Sequence, residues 1–207
     1  MLQRSLSVFS ILYGGMTCIA GVLGNKQVAL GGHLAVEAGI FPFLLLVVLS
    51  SAVAELHGRE VANRLVRFGF IPLLVSMGLI LLVLALPPAS SMEPARYAAF
   101  QLVLGQSPRL MFAGIIAYGI SQTLNVGIFS ALRGTTDGRW LWLRAATAGV
   151  LSQLVDTLLF ISIAFYGVFP IEDLLVGQLL TKLMLSALIL PPLIHGVVAL
   201  GRRLDRA

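Results

Sequence analysis

Apolar runs recur along the whole chain, separated by short polar breaks or breaks marked by glycine and proline. A run of about 18 residues or more, coiled as a helix rising about 1.5 Å per residue, is long enough to cross a hydrocarbon layer roughly 30 Å thick. The pattern predicts about six such spans, over residues 5–24, 36–55, 67–87, 108–132, 142–166 and 173–200. Charge and Gly58 within AELHGRE (54–60) end the second, and Pro87-Pro88 ends the third. Pro191-Pro192 falls inside the sixth, where two missing N–H donors predict a kink or a shortened regular part. Between the first two spans, NKQVALGGHLAVEAG (25–39) is polar and glycine-rich and predicts a short extracytoplasmic connection or a re-entrant piece. SSMEPARYAAFQLVLGQS (90–107), carrying Glu93 and Arg96, predicts a short helix lying at the membrane surface. No segment is left over for a soluble core. The expectation is an all-α, polytopic membrane protein with a single transmembrane domain over residues 1–207.

Composition agrees with this reading: 58% of the 207 residues are hydrophobic and only 11% are charged, against about 25% charged in soluble domains. The net charge of +5 does not form the basic face that nucleic acid requires, because the arginines sit in short clusters between apolar runs. Those clusters set the orientation instead. One side receives Arg4, Arg59, Arg64, Arg67, Arg133, Arg139, Arg144, Arg202, Arg203 and Arg206, and the other only Lys26, Arg96 and Arg109. By the positive-inside rule both termini are cytoplasmic. Trp140, Trp142, Tyr97 and Tyr166 fall near span ends, as an aromatic belt would place them. Arg4 followed by a long apolar stretch without an A-x-A-like site predicts an uncleaved first span rather than a signal peptide. Cys18 is the only cysteine, so neither an internal disulfide nor a multi-cysteine metal site is expected.

The remaining signal lies in the ionisable residues that fall inside spans. A charge at the bilayer centre costs about 2.5–3.5 kcal/mol on insertion scales, so such a residue is normally turned inward and paired. Asp156 lies ten residues before Tyr166, and Lys182 ten residues after Glu172; each is therefore about 15 Å from the outer boundary, and the two can meet at one depth across a short connection. Gln153 precedes Asp156 by three residues and Gln178 precedes Lys182 by four, so each charge has an amide on its own helical face. Gln122 and Asn125 share a face of the fourth span with Ser121. These residues make either a solute site or an ion pair with interhelical hydrogen bonds that only hold the bundle together. Glu55 at the end of the second span and Arg109 at the start of the fourth are interfacial candidates for a gate or a site, Arg109 having snorkelling as its commoner fate. His33, His57 and His195 show no metal-ligand spacing, and no GxxxxGK[ST] or GxSxG element is present, so no metal, no cofactor and no enzymatic activity are expected.

On these residues the chain resembles the bacterial queuosine precursor transporter family, formerly grouped with vitamin uptake transporters. The resemblance covers most of the chain. It is carried by Asn25-Lys26, AGIFPF (38–43), AELHGRE with Arg64 and FGF (68–70), SPRLMFAGIIAYGISQTLNVGIFSALR (107–133), SQLVDTLLFISIAFYG (152–167), and the lysine and prolines of the sixth span. The resemblance implies Asn25, Lys26, Glu55, Arg109, Gln122, Asp156 and Lys182 as site residues, and import across the bacterial inner membrane of a 7-deazaguanine such as its cyano or aminomethyl form. The partners it implies are a nucleobase-like small molecule and the lipid bilayer, with the chain acting alone or as a homo-oligomer. The sequence departs from the family pattern at Ser51, where an Asp is usual, and at Asn125, where an Asp is frequent. Two alternatives stay open at this point: a substrate-binding subunit energised by a separate ATPase, and a membrane protein whose buried ion pair is purely structural.

Overall fold

A computed structural model describes residues 4–24, 26–29, 35–105, 108–135, 140–167 and 172–206. In chain order the elements are α1 (Arg4–Leu23), β1 (Gln27–Ala29), β2 (Ala35–Glu37), α2 (Ile40–His57), α3 (Arg59–Ala85), α4 (Pro94–Leu104), α5 (Pro108–Thr135), α6 (Leu141–Phe165) and α7 (Glu172–Arg206). Six of the helices are long and apolar enough to cross a membrane, and α4 is the short one expected between the third and fourth spans. An even number of crossings returns both chain ends to one side, the side that the basic residues mark as cytoplasmic.

The connection between α1 and α2 contains a small antiparallel strand pair, with Val28 opposite Val36. Where the chain leaves α1, the Lys26 N–H donates to the Leu23 carbonyl at 3.0 Å and the Ala38 N–H to the Lys26 carbonyl at 2.7 Å. The strand pair thus satisfies backbone groups that no helix continues to bond. Gly39 lets α1 and α2 close at this end: a Cβ there would stand 2.9 Å from the Ala20 carbonyl oxygen and 3.2 Å from the Gly24 Cα.

α2 is the central post. From Leu44 to Ala54 nearly every side chain is buried, which an apolar helix shows when other helices surround it. α1, α3, α5 and α7 all pack against it. By contrast, the outer half of α3 exposes Ile71, Leu74, Val75, Leu79, Leu82 and Val83, the surface a peripheral span turns to lipid. The helix assignment of α7 continues through Pro191-Pro192, so the regular part is not shortened there. Leu190, just before the prolines, is buried against the Cα side of Gly149 and locks α7 onto α6.

Two polar contacts fasten helices of the bundle to one another. At the inner end, Ser5 on α1 donates its backbone N–H to Asp205 Oδ1 (3.0 Å) and its hydroxyl to Asp205 Oδ2 (2.7 Å), while the Ser5 Oγ lies 2.8 Å from His57 Nε2. A serine has one hydroxyl hydrogen, so the His57 Nε2–H must be the donor in the last contact. α1, α2 and α7 are joined through this one side chain. Halfway along the bundle, the Tyr118 hydroxyl donates to the Tyr13 hydroxyl at 2.7 Å, with Phe43 and Phe70 edge-on to the Tyr118 ring.

Gly69 makes the tyrosine contact possible, because a Cβ at that position would stand 2.5 Å from the Tyr13 ring and 3.3 Å from the Tyr118 hydroxyl. Gly69→Val is expected to destabilise the detergent-solubilised protein by about 1–3 kcal/mol, the usual cost of overpacking. Thermal unfolding followed by fluorescence-detected size exclusion measures it. Gly78→Val, at a position with nothing within 4 Å, is the matched control and should leave the transition unmoved.

Candidate functional site

The helical repeat collects polar side chains on the buried faces of four helices, within about two helical turns of the Asp156–Lys182 pair. α5 contributes Ser121, Gln122 and Asn125; α6 contributes Gln153, Asp156 and Thr157; α7 contributes Gln178, Lys182 and Ser186; α2 contributes Ser50 and Ser51. All of these but Lys182 are buried, and the Lys182 side chain is only 12% exposed. The faces follow from spacing: residues three or four apart stand above one another on a helix.

Asp156 and Lys182 meet across α6 and α7, as equal counting from the outer boundary predicts, with Lys182 Nζ 3.4 Å from Asp156 Oδ2. Ser121 donates to the other carboxylate oxygen at 3.2 Å. Charge-assisted hydrogen bonds normally close to about 2.7–2.9 Å, so both contacts are loose and the pair is compensated without being locked.

Beside the ion pair, Asn125 Nδ2 donates to Ser51 Oγ at 3.1 Å and to Ser50 Oγ at 3.3 Å, and Ser50 Oγ lies 3.3 Å from Gln122 Oε1. These bonds tie α5 to the central post. Several buried atoms of the layer nevertheless have no hydrogen-bond partner among the described residues: Gln122 Nε2, Asn125 Oδ1, both amide atoms of Gln153, Thr157 Oγ1 and Ser186 Oγ. A polar group buried without a partner costs about 1–3 kcal/mol. Such a concentration in one layer marks a place where hydrogen-bonding capacity is held open.

One turn further in, the character changes. Arg144, counted by the sequence among the loop arginines, is 1% exposed. Its Nη1 donates to Glu55 Oε2 at 3.0 Å, and its guanidinium stands 5.0 Å from the centre of the Phe129 ring. Arg133 completes the group: its Nε is 3.8 Å from the same Glu55 oxygen, and its Nη1 donates to the Glu55 carbonyl at 2.8 Å and the Ala54 carbonyl at 3.3 Å. Those carbonyls lie in the last turn of α2, where the Ala54 carbonyl also accepts from the Gly58 N–H and a cation suits the helix dipole. Phe129 follows Asn125 by four residues and Glu55 follows Ser51 by four, so this charged plug lies directly inward of the polar layer on the same helix faces.

The site residues named by sequence therefore divide. Asp156, Lys182, Gln122, Asn125, Gln153 and Gln178 gather in the polar layer, while Glu55 belongs to the arginine cluster beneath it. Lys26 is exposed at the outer connection. Asn25, His33 and the side chain of Arg109 lie outside the described residues. His195 faces its own helix, with Nδ1 3.1 Å from the Pro191 carbonyl. Among the described residues no group of three or more His, Cys, Asp or Glu could hold a metal ion. Sequence reasoning missed Ser50, Ser51, Thr157 and Ser186 as members of the layer and Arg144 as a buried charge. The available signal was the position of Arg144 three residues inside α6, opposite the Glu55 that ends α2.

Comparison with known proteins agrees with this geometry. The family model described as "Putative vitamin uptake transporter" matches residues 37–196, a stretch that contains α2 and every residue of both the polar layer and the plug. A protein of Bacillus subtilis (strain 168) named "Probable queuosine precursor transporter" is 31% identical over 182 residues, covering 86% of this chain and 78% of its own length. No solved structure matches. The chain belongs to that transporter family and is a multi-pass bacterial membrane protein that moves a small molecule rather than an enzyme.

Proposed function

We propose that the chain imports a 7-deazaguanine precursor of queuosine, in its cyano or aminomethyl form, for use in tRNA modification. The observation that carries this reading is the mid-membrane polar layer, in which a loose Asp156–Lys182 pair stands among buried polar atoms without partners. The base presents a ring N–H and an amino group that a carboxylate can accept from, and a carbonyl that an ammonium can donate to. Asp156 takes the first role and Lys182 the second. As the base enters, each charge exchanges its 3.4 Å contact for an edge of the ligand, so neither stands unpaired in hydrocarbon at the cost noted above. The relative's name supports the substrate class.

The plug supplies the closure that transport requires. Glu55, Arg144 and Phe129 shut the route between the polar layer and the cytoplasmic face, and their separation opens it. The layer is then reached from one side at a time.

The direct test expresses the chain in cells that neither make queuosine nor possess their own carrier, supplies each precursor at low concentration, and measures modified tRNA. Restoration by a deazaguanine is expected. A protein present in the membrane that restores nothing with any precursor overturns the assignment. Asp156→Asn should abolish uptake with normal membrane insertion. The double variant Asp156→Asn with Lys182→Gln, which leaves no unpaired charge, should also fail to take up the base; recovered uptake would give the pair a purely structural role.

The plug has its own test. In a Cys18→Ala background, Ser51→Cys should resist a membrane-impermeant maleimide applied to inside-out vesicles. Adding Glu55→Gln or Phe129→Ala should speed its labelling by about tenfold or more, equivalent to shifting the closed state by about 1.4 kcal/mol. Unchanged labelling would place the closure elsewhere.

A further inference from the structure

Gln153 differs from the other amides of the layer whose contacts are described. Its side chain is 0% exposed, and neither Oε1 nor Nε2 has a hydrogen-bond partner among the described residues. The carboxylate and the amides beside it each have a contact: both oxygens of Asp156 are met, by Ser121 and Lys182, Gln122 has its oxygen 3.3 Å from the Ser50 hydroxyl, which it shares with the Val47 carbonyl, and Asn125 spends its nitrogen on Ser50 and Ser51. Only Gln153 among the layer's amides that these contacts describe keeps a donor and an acceptor open side by side on one planar group. Leaving both ends of a buried amide unbonded is expensive, and a methionine of similar shape would remove the cost. Its place in the layer points to a partner that arrives and leaves.

The chemistry of that partner follows from the geometry of a primary amide. Its N–H and C=O lie in one plane and pair in bidentate fashion with an edge that offers an adjacent acceptor and donor. A 7-deazaguanine has such an edge where its two rings fuse: the pyrrole N–H beside the pyrimidine ring nitrogen that carries no hydrogen. That edge adjoins the amino and ring N–H groups assigned to Asp156. The protein repeats this adjacency, because Gln153 lies three residues inward of Asp156 on the same face of α6, about 4.5 Å along the axis. One base lying along α6 can face both side chains.

We infer that Gln153 reads the pyrrole N–H and the neighbouring ring nitrogen of the base, and so makes the carrier specific for the free base over bases substituted at the pyrrole nitrogen, nucleosides included. This rests on the proposed function, since it assigns the second edge of the same ligand. A substituent at that nitrogen removes the donor and leaves Gln153 Oε1 without a partner in a dry site, the situation in which a hydrogen-bonding site rejects an analogue most strongly.

The test uses the full-length protein in proteoliposomes, with labelled 7-cyano-7-deazaguanine as the transported probe. Unlabelled 7-cyano-7-deazaguanine and its pyrrole-N-methyl derivative serve as competitors. In the wild type the methylated compound should compete at least about tenfold more weakly than the parent. In Gln153→Met, KM for the parent should rise about tenfold and the difference between the two competitors should shrink to about twofold. Gln153→Glu, which keeps the acceptor and loses the donor, should retain most of the discrimination while KM rises. The melting temperature of Gln153→Met should equal or exceed that of the wild type, because an unbonded buried amide has been replaced by an apolar group; a purely structural glutamine would lower it. Equal competition by the two compounds in the wild type overturns the inference, as does a folded Gln153→Met variant with unaltered KM and discrimination. Absence of any uptake of the labelled base by the wild type overturns the proposed function itself, which is a separate result.

Discussion

Hydrocarbon offers no hydrogen bond, and this constraint organises the bundle. Every polar side chain carried to mid-membrane depth must find its partner on another helix, on its own backbone, or on something that enters. Asp156 and Lys182 stand on neighbouring antiparallel helices at the same distance from the outer boundary, so the two charges compensate each other. Arg144 is tolerated at 1% exposure because Glu55 reaches it from the end of the central helix and Phe129 presents a ring face. The apolar outer half of α3 needs no such provision and remains at the periphery.

The two charged clusters meet the constraint differently, and the difference bears on function. In the inner one, Glu55 is contacted by two arginines, one of which also bonds the last carbonyls of α2, and an aromatic ring fills the remaining side. Charge, dipole and packing reinforce one another there. In the layer above, the pair is long, hydroxyls and amides alternate, and several buried atoms go without partners among the described residues. A region built only for stability would have been filled with leucine. Holding unmet polar groups in a buried environment lowers stability, and the proposed function gives that cost a purpose.

Much of this was legible in the sequence. Hydropathy alone located the spans, because long apolar runs have few alternatives, and counting residues from the span ends placed Asp156 and Lys182 at one depth. Ser50 and Ser51 were not legible as site residues. A hydroxyl within a span commonly bonds its own helix, as Thr17 does to Gly14 and Ser76 to Leu73, and only the approach of α5 makes these two serines partners of Asn125. Arg144 escaped for another reason. Near a span end an arginine ordinarily reaches out to water, and although Glu55 ends the second span on the same side, only the packing of α2 and α6 brings the two together. The strand pair of Gln27–Ala29 and Ala35–Glu37 is too short to give a periodic signal, and its pairing is settled by the approach of α1 and α2.

The departures from the family pattern at Ser51 and Asn125 acquire a common meaning once the helices are assembled. Separated by 74 positions in the chain, the two side chains touch, Asn125 Nδ2 donating to Ser51 Oγ at 3.1 Å. Two carboxylates at this contact could not both ionise; one would take a proton or the two would repel across a dry gap. Serine and asparagine together replace that arrangement with a neutral donor and acceptor, whereas either change alone would leave a lone buried carboxylate facing a neutral group. Asp156 is then the only carboxylate among the described residues of the polar layer, and its charge is compensated by Lys182 alone.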